Sequence, residues 1–189
     1  MSDEARDETP QRAPDGAPDD APEWAPDGAP DDAPERAPDE ASEEARDEAR
    51  GTTLLDAYAL IAFLAGGPAA EQVRALLRER DTAVASANLV EALDVSQRLY
   101  GVAVSRALEI LEPVFELSLV VLSLDLPRAR RAAELRAKHY HRSSRPISLA
   151  DAVLLASARP GDRIATSDPD VLAVAAAEGL EQLVLPGQG

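Results

Sequence analysis

From Thr52 onward, short apolar runs alternate with longer stretches whose apolar residues recur every three to four positions. "TTLLD" (52–56) reads as a short strand ending in an acid, and "AYALIAFLAG" (57–66) as an apolar helix stopping at Gly66-Gly67. "PAAEQVRALLRER" (68–80) has the pattern of an amphipathic helix with proline in its first turn. "TAVAS" (82–86) is a second strand, followed by the helix "ANLVEALDVSQRLYG" (87–101), with Gly101 as its stop. "AVSRALEILEPVF" (103–115) continues helical up to an expected break at Pro113. "LSLVVLSL" (117–124) is a continuous apolar run, the kind buried on both faces of a parallel sheet. The basic helix "PRARRAAELRAKHYH" (127–141), the helix "ISLADAVLLASA" (147–158), the strand "DRIATS" (162–167), the helix "PDVLAVAAAEG" (169–179) and a last strand "EQLVLP" (181–186) complete the pattern. Strands alternating with helices predict a three-layer α/β/α sandwich with a mainly parallel sheet. In such sheets, sites form at the carboxyl ends of the strands.

Nothing of this kind precedes Gly51. From Ala13 to Glu40 the chain is seven tetrads, APDG-APDD-APEW-APDG-APDD-APER-APDE, with a twelve-residue period on top. A proline every fourth residue forbids a continuous helix and any central strand. The expectation is therefore a disordered acidic tail (1–50) with polyproline-II character, ahead of one folded domain (51–189). "ASEEARDEAR" (41–50) is either a nascent helix or more linker.

The tail also changes the meaning of the net charge of −16. Residues 1–50 carry 18 Asp and Glu against 5 Arg, whereas residues 51–189 carry 17 against 14 cations, so the charge belongs mostly to the tail. Its functional reading is an acidic interaction arm or a decoy competing with nucleic acid; the plainer one is a solvating extension. A start of translation further down is the other possibility. The chain has no cysteine, which excludes disulfides and thiolate metal sites. No apolar run approaches the ~20 residues that span a bilayer, and the amino terminus lacks a signal peptide's basic and apolar regions. A cytoplasmic protein with no membrane partner is expected.

The acids of the folded part fall in a suggestive way. Asp56 directly follows the first strand, and Asp168 ends the fourth. Glu91 lies early in the helix after the second strand, and Asp151 in the first turn of the helix leading to the fourth. A parallel sheet would gather all four at one edge. Each has an ordinary explanation: Asp56 and Asp168 as helix caps, Asp151 in a capping box with Ser148, and Glu91 as a solvated helix acid. Four acids clustered together, however, repel and raise one another's pKa, and a divalent cation relieves this. Hard oxygen ligands suit Mg²⁺ or Mn²⁺, which can activate water and clamp a phosphate. Asp56, Asp151 and Asp168 would hold the ion, and Glu91 would complete the shell or orient the water.

"RAKHYHRSSR" (136–145) places Arg136, Lys138, Tyr140, Arg142 and Arg145 just before Asp151. The cations suit phosphates and Tyr140 suits an unpaired base; the alternative is a basic, solvated helix end. His139 and His141, expected in a mobile loop, are poor general bases. Phosphate-binding loops G-x-x-x-x-G-K-[ST] and G-x-G-x-x-G are missing from the chain.

In order, "LLDAYALIAFL", "NLVEAL", "SLADAVLLASA" and "IATSDPDVL" resemble the PIN-domain ribonucleases, in particular the VapC-type toxins of toxin–antitoxin systems. The resemblance covers about residues 52–186 and puts the family's four acids on Asp56, Glu91, Asp151 and Asp168. It implies Mg²⁺- or Mn²⁺-dependent RNA cleavage leaving a 5′-phosphate, a cognate antitoxin and frequent homodimers. It implies nothing about the tail. A non-catalytic RNA- or protein-binding scaffold that kept its acids is the competing reading.

Overall fold

The computed structural model describes residues 51–79 and 81–187. The acidic repeats and "ASEEARDEAR" lie outside the described residues. The elements, in chain order, are β1 (Thr53–Leu55), α1 (Ala57–Ala65), α2 (Ala70–Arg78), β2 (Thr82–Ala85), α3 (Ser86–Tyr100) and α4 (Val104–Leu117). They continue with β3 (Leu119–Leu122), α5 (Leu126–His139), α6 (Leu149–Ser157), β4 (Arg163–Thr166), α7 (Pro169–Ala177) and β5 (Glu181–Val184). All four strand pairings are parallel, and the strand order is β3-β2-β1-β4-β5. This is the expected three-layer α/β architecture.

Alternation along β1 explains the layers. Leu54 and Leu55 are both fully buried, because successive side chains of a strand enter opposite faces. Leu54 belongs to a core with Ala83, Leu122, Ala132, Leu135, Leu154 and Val171, on the side of α5, α6 and α7. Leu55 belongs to a second core with Leu60, Val73, Val84 and Leu111, on the side of α1, α2 and α4. The helix stops follow from backbone sterics. Gly66 and Gly101 cap α1 and α3 at φ of 81° and 70°, a left-handed conformation that glycine adopts without Cβ strain.

Two expectations fail. "LVVL" of β3 is not buried on both faces, since Val120 and Val121 are 41% and 37% exposed. Its strand lies at the edge of the sheet, a position that the run of apolar residues cannot reveal. Nor does Pro113 break its helix: α4 runs through it to Leu117. Pro113 is exposed, so water can satisfy the carbonyl one turn back that loses its N–H partner.

The chain runs outward from β1 through β2 to β3, then returns to lay β4 against the other side of β1. The carboxyl ends of β1 and β4 therefore flank the point where the direction of winding reverses, where open α/β sheets bind ligands. Among the described residues no single helix is long and apolar enough to cross a membrane.

Candidate active site

Asp56 leaves β1 at this reversal and is 6% exposed. It is the N-cap of α1: Oδ1 accepts from the Ala57 N–H at 2.6 Å. The same oxygen accepts from Asn88 Nδ2 at 3.2 Å, and Oδ2 accepts from the Thr166 hydroxyl at 2.7 Å. Its backbone N–H donates to Ala165 O at 3.1 Å, stitching the end of β1 to β4. Burial, partly offset by the Thr166 bond and reinforced by the charges of Asp151 and Glu91, pushes the Asp56 carboxyl up to about 6.

Glu91 lies one turn beyond Asn88 on α3. Burial first, then the charges of Asp151 and Asp94, raises its pKa above the usual carboxylate value. Among the described residues, neither the buried Glu91 Oε2 nor the buried Asn88 Oδ1 has a hydrogen-bond partner. Asp151 sits at the third position of α6 in a complete capping box: its Oδ2 accepts from Ser148 N at 2.6 Å, and its own N–H donates to Ser148 Oγ at 3.0 Å. Asp168 caps α7, Oδ1 accepting from the N–H groups of Asp170 at 2.7 Å and Val171 at 3.4 Å. Its own N–H donates to Thr166 Oγ1 at 3.0 Å.

The expected caps are thus present at Asp56, Asp151 and Asp168, and three of the four acids expected to gather at this edge sense one another's charge. Asp56, Glu91 and Asp151 lie within reach of one another's charge. Asp168 is joined to Asp56 through one fully buried hydroxyl, that of Thr166, which donates to one acid and accepts from the backbone of the other. Among the described residues no three acids or histidines already stand in a geometry that could hold a metal ion. The chemistry of the donors nevertheless fits a hard divalent cation. All are carboxylate oxygens, their mutual repulsion is expressed in Asp56 and Glu91, and a buried Glu91 oxygen lacks any donor. The sequence marks Asn88 as the residue that opens N-x-x-E, three positions before Glu91 on the same helix face, and the fold adds its contact with Asp56.

The basic segment is more constrained than expected. Lys138 Nζ is paired with Glu178 at 2.8 Å, and His139, at the last position of α5, meets the same carboxylate through Nε2 at 2.6 Å. These contacts, Lys138 first, hold Glu178 below the usual carboxylate range. The Arg136 guanidinium stacks over the Tyr140 ring at 4.5 Å. His141 and Arg145 exchange backbone hydrogen bonds of 3.0 and 2.9 Å, closing a tight turn rather than a loose loop. Arg142, at the exposed tip, forms no ion pair among the described residues.

The PIN domain family profile matches residues 53–177, which include all four acids. The chain belongs to the PIN-domain family, a family of nucleases. Among solved structures it is similar to DNA-bound VapBC from Salmonella typhimurium, with 20% identity, 71% of this chain and 98% of that one covered, and a TM-score of 0.54. It is also similar to FitAB bound to a DNA fragment, with 20% identity, 73% and 100% covered, and a TM-score of 0.51. At these identities the likeness is one of fold. No curated protein matches the chain by sequence.

Proposed function

We propose that this protein is a Mg²⁺- or Mn²⁺-dependent endoribonuclease, the toxin of a toxin–antitoxin pair. One observation carries the reading: a buried carboxyl, Asp56, is pushed up to about 6 beside two further acids, at the sheet's point of reversal. A fold needs no such group for stability, and a divalent cation would relieve it. Asp56, Asp151 and Asp168 would hold the ion, which when bound supplies a Lewis acid for the phosphodiester and lowers the pKa of a water. Asp56 is held rigidly for this task by bonds on both oxygens. Glu91, with an unpartnered oxygen and a raised pKa, is suited to accept the proton of the attacking water. Displacement of the 3′ oxygen leaves a 5′-phosphate. Arg136, Lys138, Tyr140, Arg142 and Arg145 form the RNA-facing flank, with Arg142 the least committed to contacts within the protein.

The fold shared with VapBC and FitAB supports a cognate antitoxin as partner; a homodimer and a cytoplasmic location belong to the same reading, as the family resemblance implies. The test is cleavage of total RNA by purified protein in Mg²⁺ or Mn²⁺. Activity is expected to vanish in excess EDTA and in Asp56→Ala, with products bearing 5′-phosphates. A 2′,3′-cyclic phosphate end would refute the mechanism, because it requires attack by the ribose 2′-hydroxyl. RNA binding without cleavage in any metal would favour the scaffold reading instead.

A further inference from the structure

Asn88 has no part in the reaction as described so far, yet its side chain is fully buried against the site. Nδ2 donates to Asp56 Oδ1 at 3.2 Å, while the Asn88 Oδ1 has no partner among the described residues. The orientation of the amide is fixed by chemistry: turned over, it would set its oxygen against a carboxylate oxygen. One turn along the same face, Glu91 Oε2 is the second buried acceptor without a donor. Buried acceptors are rarely left unmade, because an unsatisfied group costs its full desolvation. Two of them at i and i+3, beside a carboxyl that is already hydrogen-bonded, call for a donor that enters with the ligands of the site.

We infer that Asn88 is a positioning residue of the acid cluster: its amide N–H group locks the Asp56 carboxylate, and its carbonyl oxygen, together with Glu91, accepts from a water that is ordered when a divalent cation binds. The arrangement divides the work on Asp56. Thr166 holds Oδ2 from β4, and Asn88 holds Oδ1 from α3, so the plane of the carboxylate is set from two elements at once. Loss of Asn88 frees the carboxylate to turn and removes one acceptor of the water. Residues that orient metal ligands in this way typically contribute 10- to 100-fold in metal affinity.

This inference rests on the metal-dependent reading, and the experiment separates the two. Mn²⁺ affinity is measured by titration calorimetry on the full chain for the wild type, Asn88→Ala, Asn88→Ser and Ser96→Ala. Ser96 is also fully buried on α3, and among the described residues its hydroxyl has no hydrogen-bond partner, Asp56 included, so Ser96→Ala reports what a buried polar deletion in this helix does by itself. Mn²⁺ binding is expected to weaken roughly tenfold in Asn88→Ala and to recover in part in Asn88→Ser, whose hydroxyl can still donate. Ser96→Ala should bind Mn²⁺ as the wild type does. Affinity in Asn88→Ala within twofold of the wild type would overturn the role of Asn88 while leaving the metal site standing. Equal weakening in Ser96→Ala would also overturn it, by showing a general effect of α3. Absence of Mn²⁺ binding in the wild type would overturn both readings together. If Asn88→Ala does not fold, Asn88→Ser against Ser96→Ala decides by the same criteria.

Discussion

Replacing Asp56 by asparagine should make the metal-free protein more stable at neutral pH while abolishing cleavage. The folded-state pKa of Asp56 is about 6 against an ordinary value of 3.8. A difference of about two units corresponds to about 3 kcal/mol between the charged and neutral forms. Because the folded value is raised, the stabilising contribution of a neutral Asp56 is complete below pH 3.8 and disappears as the pH climbs past about 6. At pH 7.5 the wild type therefore carries nearly all of that ~3 kcal/mol as strain, and asparagine, neutral at every pH, carries none of it. Asparagine keeps most of the bonding. Its oxygen can accept from Ala57 and Asn88 as Oδ1 does now, and its amide can donate to Thr166, whose hydroxyl must then reverse. That reversal costs about 1 kcal/mol, which leaves a net gain near 2 kcal/mol. For a domain of this size, the gain is a rise of about 6 °C in melting temperature. Thermal unfolding in EDTA at pH 7.5 and at pH 4 measures it: Asp56→Asn should melt higher at pH 7.5, and equal to or slightly below the wild type at pH 4. A variant that melts lower by the same amount at both values would refute the argument, since Asp56 would then be an ordinary cap with no charge strain.

Three other predictions follow from the same contacts. Ser148→Ala should cost about 1 kcal/mol of stability through the broken capping box and leave the Mn²⁺-induced rise in melting temperature intact, whereas Asp151→Asn should remove most of that rise. For RNA binding followed by fluorescence anisotropy in EDTA, Arg142→Ala should reduce the salt slope by about one, and Lys138→Ala, whose ammonium is held by Glu178, should leave it nearly unchanged; the reverse ranking would move the RNA path away from the 141–145 turn. Glu178, held below its ordinary value of 4.5, contributes stability that is present above that pH and is lost as the pH falls through its lowered value. Glu178→Gln should accordingly flatten the acid side of the melting-temperature profile, and an unchanged profile would mean that the Lys138–His139–Glu178 contact is too solvated to matter.

Which parts of this picture the sequence carries, and which it does not, depends on range. Helix ends are local, so Gly66 and Gly101 and the Ser148–Asp151 box could be read directly. The positions of the acids followed from one further rule, that parallel strands share a carboxyl edge. Strand order was out of reach, because it depends on which helix faces pack best. "LVVL" therefore looked like an interior strand and lies at an edge. Pro113 misled for a related reason: its cost depends on whether the freed carbonyl meets water, which is a property of the folded surface. Lys138 reads as a free cation only because Glu178, 40 residues away in sequence, is not visibly its neighbour. Asn88 is visible in the sequence as the opening of N-x-x-E, but its partner Asp56, 32 residues away, is a property of the fold.

The central pairing of the sheet has a consequence for the order in which the protein comes into being. β1 and β4 are direct neighbours, yet Thr53 and Arg163 are 110 residues apart along the chain. The Thr166 hydroxyl that fastens Asp56 is equally distant from it. Closing so long a loop is among the slower steps of folding, and chains emerge from synthesis amino terminus first. Asp56, Asn88 and Glu91 are all made before Thr166 and Asp168 exist. A growing chain thus holds half of its acids in place with no strand to complete the cluster. On the proposed function, the nascent chain would in this way remain harmless to the message and ribosome producing it until Thr166 and Asp168 have been added.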